Sequence, residues 1–243
     1  MFEPYELETA PVAPDLPGSV LLRNSLDDAI AAAAADVMLQ AQACVRAFEA
    51  FHLAITPSLS SRELVLRLMT DPNFRDLPWS RTHLWAAHEP RTVTDESTES
   101  SGHLADMILH ASDLPRDQWH PAPAHLPDGD ARYEQELVGH LERREPGHDR
   151  LDCVVLPAHT GSIRGLDDPL DRLVGPTEDG NAIALTRRAV RGGRLVMVVA
   201  PGGSARATLA DLAADPSGIG IQPVGGQLRW YIDRLACGHE NLE

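Results

Sequence analysis

Lysine is missing altogether: all 21 basic residues of this 243-residue chain are arginine. That absence excludes Schiff-base chemistry, a phosphate-loop lysine and a lysine general base. Any anion must be held by arginine or by backbone N–H groups. Cysteine is sparse, and Cys44, Cys153 and Cys237 form no CxxC pair. An odd, scattered set argues against a disulfide framework and predicts a reduced, cytoplasmic setting with thiols packed as small hydrophobes. Long apolar runs are lacking too. The longest, Ala29 to Ala35, falls far short of the roughly 20 residues that span a bilayer. No basic-then-apolar leader opens the chain, which predicts no signal peptide. No HExxH pairs the 11 histidines, and no GxSxG elbow is present. The expectation is therefore neither a metal site nor a cofactor, and no serine triad.

The acids are plentiful. Asp and Glu number 36, giving a net charge of −15, a field that repels nucleic acid and anionic membrane. Neither is expected as a partner; a protein partner is left unidentified. Hydrophobic residues make up 43%, enough for a true core in one domain.

Residues 1–18 carry four prolines and no periodicity, and are predicted to be an extended or disordered lead-in. A single α/β domain is predicted over residues 19–236, followed by a tail, 237–243. Strands are expected at Ser19–Arg23, Phe51–Ile55, Thr82–Ala87, Leu151–Leu156, Ala182–Thr186, Arg194–Ala200, Ile219–Pro223 and Gln227–Asp233. Helices are expected at Leu26–Ala50, capped by Asn24 or Ser25, at Ser61–Thr70, Gly102–Ser112 and Asp130–Arg144, and after Pro201-Gly202-Gly203-Ser204. In the first helix Val37, Leu39, Cys44, Val45 and Phe48 fit one buried side. Alternating strands and helices predict a three-layer, Rossmann-like architecture, a mostly parallel sheet with helices on both faces.

Several strings, in order, resemble the 6-phosphogluconolactonase family, related to the glucosamine-6-phosphate isomerases. Phe51-His52-Leu53-Ala54-Ile55 leads into Pro57-Ser58-Leu59-Ser60-Ser61, where the family has Gly-Gly-Ser-Thr-Pro. Pro78-Trp79-Ser80 is kept, but the family's Asp-Glu-Arg is His88-Glu89-Pro90. Leu114-Pro115, His120 and Tyr133-Glu134 match further positions. After Leu151-Asp152-Cys153-Val154-Val155-Leu156, the family's Gly-x-Gly-x-Asp-Gly-His-x-Ala-Ser is reduced to Pro157-Ala158 followed by His159, Thr160 and Ser162. A Gly-x-x-Lys helix opening appears as Gly202 with Ala205 in the lysine position, and Trp230-Tyr231-Ile232-Asp233 closes the chain's matching part.

The resemblance implies a sugar-phosphate ligand and lactone hydrolysis without a cofactor, in the pentose phosphate route. His159 takes the family's base position, since histidine titrates near working pH; the alternative is a loop histidine left by descent. Glu89 matches a rim glutamate, with His88 and Glu89 expected on opposite faces of a strand. Ser58, Ser60 and Ser162 offer hydroxyls to substrate, although Ser60 as a helix cap is the plainer reading. Arg187, Arg188, Arg191 and Arg206 are the cations available to replace the lost lysine and arginine, with Arg188 and Arg206 favoured for phosphate; a solvated surface role is the alternative. His103 and His110, seven residues apart, read as scattered surface histidines, and His239 as part of the tail. Scaffold residues kept and cradle residues replaced together imply a divergent member with lost or altered lactonase activity. An active lactonase and an acidic protein-interaction module are the alternatives.

Overall fold

The computed structural model describes residues 10–92, 100–158, 163 and 171–239. Its centre is a seven-stranded sheet in which every neighbouring pair runs parallel. The strands are β1 (Ser19–Arg23), β2 (Phe51–Ile55), β3 (Thr82–Ala86), β5 (Trp119–His120), β6 (Cys153–Pro157), β9 (Leu195–Val199) and β10 (Gln227–Asp233), in the order β1-β10-β9-β6-β2-β3-β5. Three short strands, β4 (His88–Pro90), β7 (Val174–Pro176) and β8 (Ala182–Leu185), form a separate antiparallel sheet ordered β4-β8-β7.

Side-chain alternation divides the apolar residues between two cores. On β6 and β9, Val154, Leu156, Val196 and Val198 face one side, while Cys153, Val155, Leu195, Met197 and Val199 face the other. The second side is covered by helices α1 (Leu26–Phe48), α2 (Leu59–Thr70) and α3 (Ser101–Ala111). The first is covered by α4 (Gly129–Leu141), α5 (Arg187–Gly192), α6 (Arg206–Ala214) and the small sheet. This is the three-layer α/β fold expected from the sequence.

Helix α1 begins where Ser25 Oγ accepts the Asp28 N–H at 3.1 Å, with Asp27 and Asp28 in the first turn. It ends at Phe48, two residues before the predicted end, because Glu49 turns left-handed at φ 63°. Its buried stripe is mainly alanine (Ala29, Ala33, Ala34, Ala41) with Val37 and Cys44, which brings the helix close to the sheet. Leu39, expected on the buried side, is 63% exposed. The lead-in also meets the core: Leu16 is buried, and Trp230 Nε1 donates to the Pro17 carbonyl at 2.8 Å. Cys44 and Cys153 are buried free thiols and Cys237 is half-buried.

Two strand expectations need correction. Ile219–Pro223 is not a strand; it follows a 3-10 turn, Pro216–Gly218. Ile219 and Ile221 are buried, but Gly220 is where the Arg187 side chain lies, so close that a Cβ there would sit 2.5 Å from its Nε. Ala182–Leu185 is a strand, but of the antiparallel sheet. Strands β5 and β7 escaped the sequence reading because two or three residues are too few for periodicity, and Pro176 argues against a ladder.

Gly226 gives a direct test of the packing at the start of β10. A Cβ there would lie 2.3 Å from the Gly193 carbonyl oxygen and 2.8 Å from that of Arg194. Backbone cannot yield as a side-chain tip does, so Gly226→Ala is expected to cost about 1–3 kcal/mol. Urea denaturation of the two proteins checks this; equal midpoints would refute the packing.

Candidate functional site

In an open parallel sheet the chain order reverses at one point, and the strand ends splay apart there. Here β2, β3 and β5 step outward one way, while β6, β9 and β10 step the other. The reversal falls between β2 and β6. A groove of about 750 Å³ opens beyond the carboxyl ends of these strands. Thr56, Pro57 and Ser58 line it after β2, Pro157 and Ala158 at the end of β6, and Val199, Ala200 and Pro201 at the end of β9. The rim includes His88 and Pro90 of β4, Ser60 and Glu63 of α2, and Ser204 and Ala205 before α6, so both predicted serines Ser58 and Ser60 lie at the groove.

The serines behave locally. Ser58, and not Ser60, is the N-cap of α2: its Oγ accepts the Ser61 N–H at 3.1 Å. The same hydroxyl lies 3.1 Å from Ser60 Oγ and 2.9 Å from Ser61 Oγ, while Ser61 donates to the Thr56 carbonyl at 2.6 Å. The helix therefore starts two residues earlier than predicted. Its positive dipole end favours an anion at the groove, but Pro57 has no N–H to offer and Glu63 brings negative charge. Across the groove, the Gly202 N–H is committed to the buried Asp233, which accepts it at 2.9 Å and the Ala236 N–H at 2.9 Å.

The alternation expected for β4 holds. His88 lines the groove. Glu89 points away and accepts the Ser101 N–H at the start of α3 at 3.1 Å. Burial pushes the Glu89 carboxyl above its ordinary range, and the Ser101 hydrogen bonds act against that. Its evident task is to satisfy a helix N-terminus.

The two arginines favoured for phosphate are elsewhere. Arg188 reaches toward Asp171 at 3.7 Å and borders a different cavity, between α4 and α5. Arg206 is exposed and lies against the C-terminal turn, where a Cβ on Gly238 would sit 2.6 Å from its Cζ. Arg187 is packed on Gly220, as noted. Among the described residues no arginine lines the groove. His159 and Ser162 lie outside the described residues; Ala158, the residue before His159, is on the groove wall.

The sequence reading missed His88 as the groove-facing member of its pair, and Thr56, Pro157 and Pro201 as wall residues. The signal available was positional: each lies at or just beyond a strand's carboxyl end. It also missed a group of histidines at the opposite part of the sheet, His52, His83, His120 and His140, packed around Trp85.

Comparison with known proteins agrees with this fold. The sequence model of the family described as glucosamine-6-phosphate isomerases/6-phosphogluconolactonase matches residues 24–229. The GDH/6PGL endoplasmic bifunctional protein of Homo sapiens is 26% identical over 231 residues, covering 85% of this chain and 28% of that protein. The chain thus spans little more than a quarter of the length of this curated relative. Among solved structures, 6-phosphogluconolactonase from Thermotoga maritima superposes with a TM-score of 0.70 at 16% identity, over 88% of this chain and 99% of that one. A monomeric glucosamine-6-phosphate deaminase gives 0.69 at 12% identity, over 90% and 99%. The fold is shared by proteins named for two different reactions, so the site has to decide the function.

Proposed function

The chain belongs to the glucosamine-6-phosphate isomerase/6-phosphogluconolactonase family, and from that membership we propose that it is a divergent member whose sugar-phosphate lactonase activity is lost or strongly altered. The observation that carries this is the groove wall: Pro57, Pro90, Pro157 and Pro201 among aliphatic and hydroxyl side chains and His88, with Glu63 as the acid and no arginine among the described lining residues. Phosphate recognition needs guanidinium forks or several converging N–H groups. Proline supplies neither, and it removes N–H groups where the family's loop has glycines.

The experiment is ring opening of 6-phosphogluconolactone, followed by proton release in a pH-stat. The expected rate is that of spontaneous hydrolysis, with no heat of binding for 6-phosphogluconate by calorimetry. Turnover above that rate which disappears in His159→Ala would overturn the reading in favour of a working lactonase. Three observations support that second reading: the groove is open, α2 directs its dipole to it, and His159 adjoins its wall in sequence. In that reading His159 is the base.

No helix among the described residues is long and apolar enough to cross a membrane.

A further inference from the structure

Parallel strands place residues of equal register side by side, and two such pairs bring imidazoles together. His52 of β2 is opposite His83 of β3, with ring centroids 4.7 Å apart. His120 of β5 is opposite Trp85, two residues beyond His83 on the same face, and stacks on its ring at 3.8 Å. Helix α4 packs over this face and adds Glu136 and His140. Their i, i+4 spacing puts both on one side of the helix.

The polar contacts are specific. His120 Nδ1 lies 2.6 Å from Glu136 Oε1. A carboxylate only accepts, so Nδ1 carries the proton and Nε2 keeps its lone pair. That lone pair lies 3.0 Å from His83 Nδ1. The ring of His140 is 4.6 Å from that of His120 and 4.9 Å from that of His83, centroid to centroid. One ligand nitrogen from each of the three lies within 4.8 Å of the others.

We propose that His83, His120 and His140 bind one divalent transition-metal ion of the zinc class, with Glu136 fixing His120 from behind. A tetrahedral ion bonded to nitrogens at about 2.0–2.1 Å requires nitrogen pairs about 3.3 Å apart. The His83–His120 pair is close to that already. His140 sits in the last turn of α4 and is half-buried, so rotation of its side chain closes the remaining gap. The Glu136–His120 contact is the carboxylate–histidine pairing that orients metal-bound imidazoles. On binding, His83 shifts its proton from Nδ1 to Nε2 through solvent, and no net proton is lost. Nitrogen donors select zinc, nickel, cobalt or copper, and reject calcium and magnesium. Three protein ligands leave a fourth position for water.

The charge environment is mixed. Asp117 and Glu136 face the cluster with negative charge, Arg143 and Arg144 with positive, and His52 adds a neutral ring. Burial and mutual repulsion lower His83 to about 4 and His120 to about 3, and lower His140 as well. The cluster stands apart from the groove, so its test does not depend on lactone chemistry.

The test uses the full chain without an affinity tag, stripped by EDTA and titrated with zinc chloride at pH 7.5 in a calorimeter. One ion per chain is expected, with Kd about 1 µM or tighter. Cobalt(II) should give the visible bands of a tetrahedral nitrogen site, without sulfur-to-metal charge transfer. His140→Ala, near the surface, should raise Kd about 100-fold and Glu136→Gln about 10-fold, within the range that outer partners command. His110→Ala, on the exposed end of α3, should change nothing. Circular dichroism and the melting curve of His140→Ala without metal must match the parent; if they differ, His83→Gln replaces it in the same titration. Absence of saturable zinc binding, binding indifferent to His140→Ala or its replacement, or a thiolate charge-transfer band would each overturn the proposal.

Discussion

Asp152→Ala is expected to remove about 3–5 kcal/mol of stability, the range found when one partner of a buried ion pair is deleted. The Asp152 side chain is wholly buried. Its two oxygens accept Arg144 Nη1 and Nη2 at 2.8 Å each, Arg194 Nε at 3.1 Å and the His52 N–H at 2.8 Å. Arg144 also donates to the Ala50 carbonyl at 2.7 Å. Both guanidinium groups lie over the Phe48 ring, 5.0 Å and 4.4 Å from its centre. One carboxylate therefore joins the end of α1, the start of β2, the residues after α4 and the starts of β6 and β9. Removing it leaves two nearly buried arginines without their counter-ion, a cost of the same order as much of a domain's total stability. Urea denaturation followed by circular dichroism measures it. A loss under about 1 kcal/mol would show that the two arginines find other partners or water. Asp152→Asn keeps the shape and one acceptor oxygen, so it should fall between Ala and the parent.

Asp152 also illustrates how the fold was legible. It stands just before a β-branched apolar run, and that run, like Arg194–Ala200, is buried on both faces and reads directly as a central parallel strand. The same applies to one cap: Ser25 sits where a hydroxyl meets a new helix, whereas the cap of α2 falls on Ser58, two residues before the expected Ser60. What escaped was whatever depends on pairing at a distance. The strand Val174–Pro176 exists because Ala182–Leu185 lies beside it, and nothing within its three residues announces that. Leu39 was misplaced because α1 approaches the sheet through alanines, leaving its larger side chain outside.

The candidate site was legible in position and less so in membership. Residues after the carboxyl ends of β2, β6 and β9 line the groove, as their place in a parallel sheet dictates. Proximity in sequence to lost family positions did not carry Arg188 or Arg206 into it, since helix direction and not residue type decides where a guanidinium ends. The histidine cluster was invisible for a simpler reason. His83 and His120 are 37 residues apart and meet only through strand register, while His140 arrives on a helix from the opposite layer.

If the groove fails to hold phosphate for want of positive charge, supplying that charge should restore binding. Pro90 and Ser204 line the groove, the first half-buried on β4 and the second exposed on the turn before α6. Neither has a side chain that the core depends on. Each arginine placed there can offer a charge-assisted hydrogen bond worth about 1.5–3 kcal/mol, or about ten-fold or more in affinity. Pro90→Arg with Ser204→Arg is therefore expected to tighten 6-phosphogluconate binding about 100-fold over the parent, and Glu63→Gln to add a smaller gain by removing an opposing charge. Calorimetry at two salt concentrations measures this, because an electrostatic gain must weaken as screening increases. The same affinity in parent and double variant would mean that charge is not what the groove lacks. The parent already binding tightly would mean that cations from outside the described residues reach it. A gain in binding without lactone opening is the outcome expected here, because holding the phosphate and activating water are separate tasks, and the second falls to a base the substitutions do not supply.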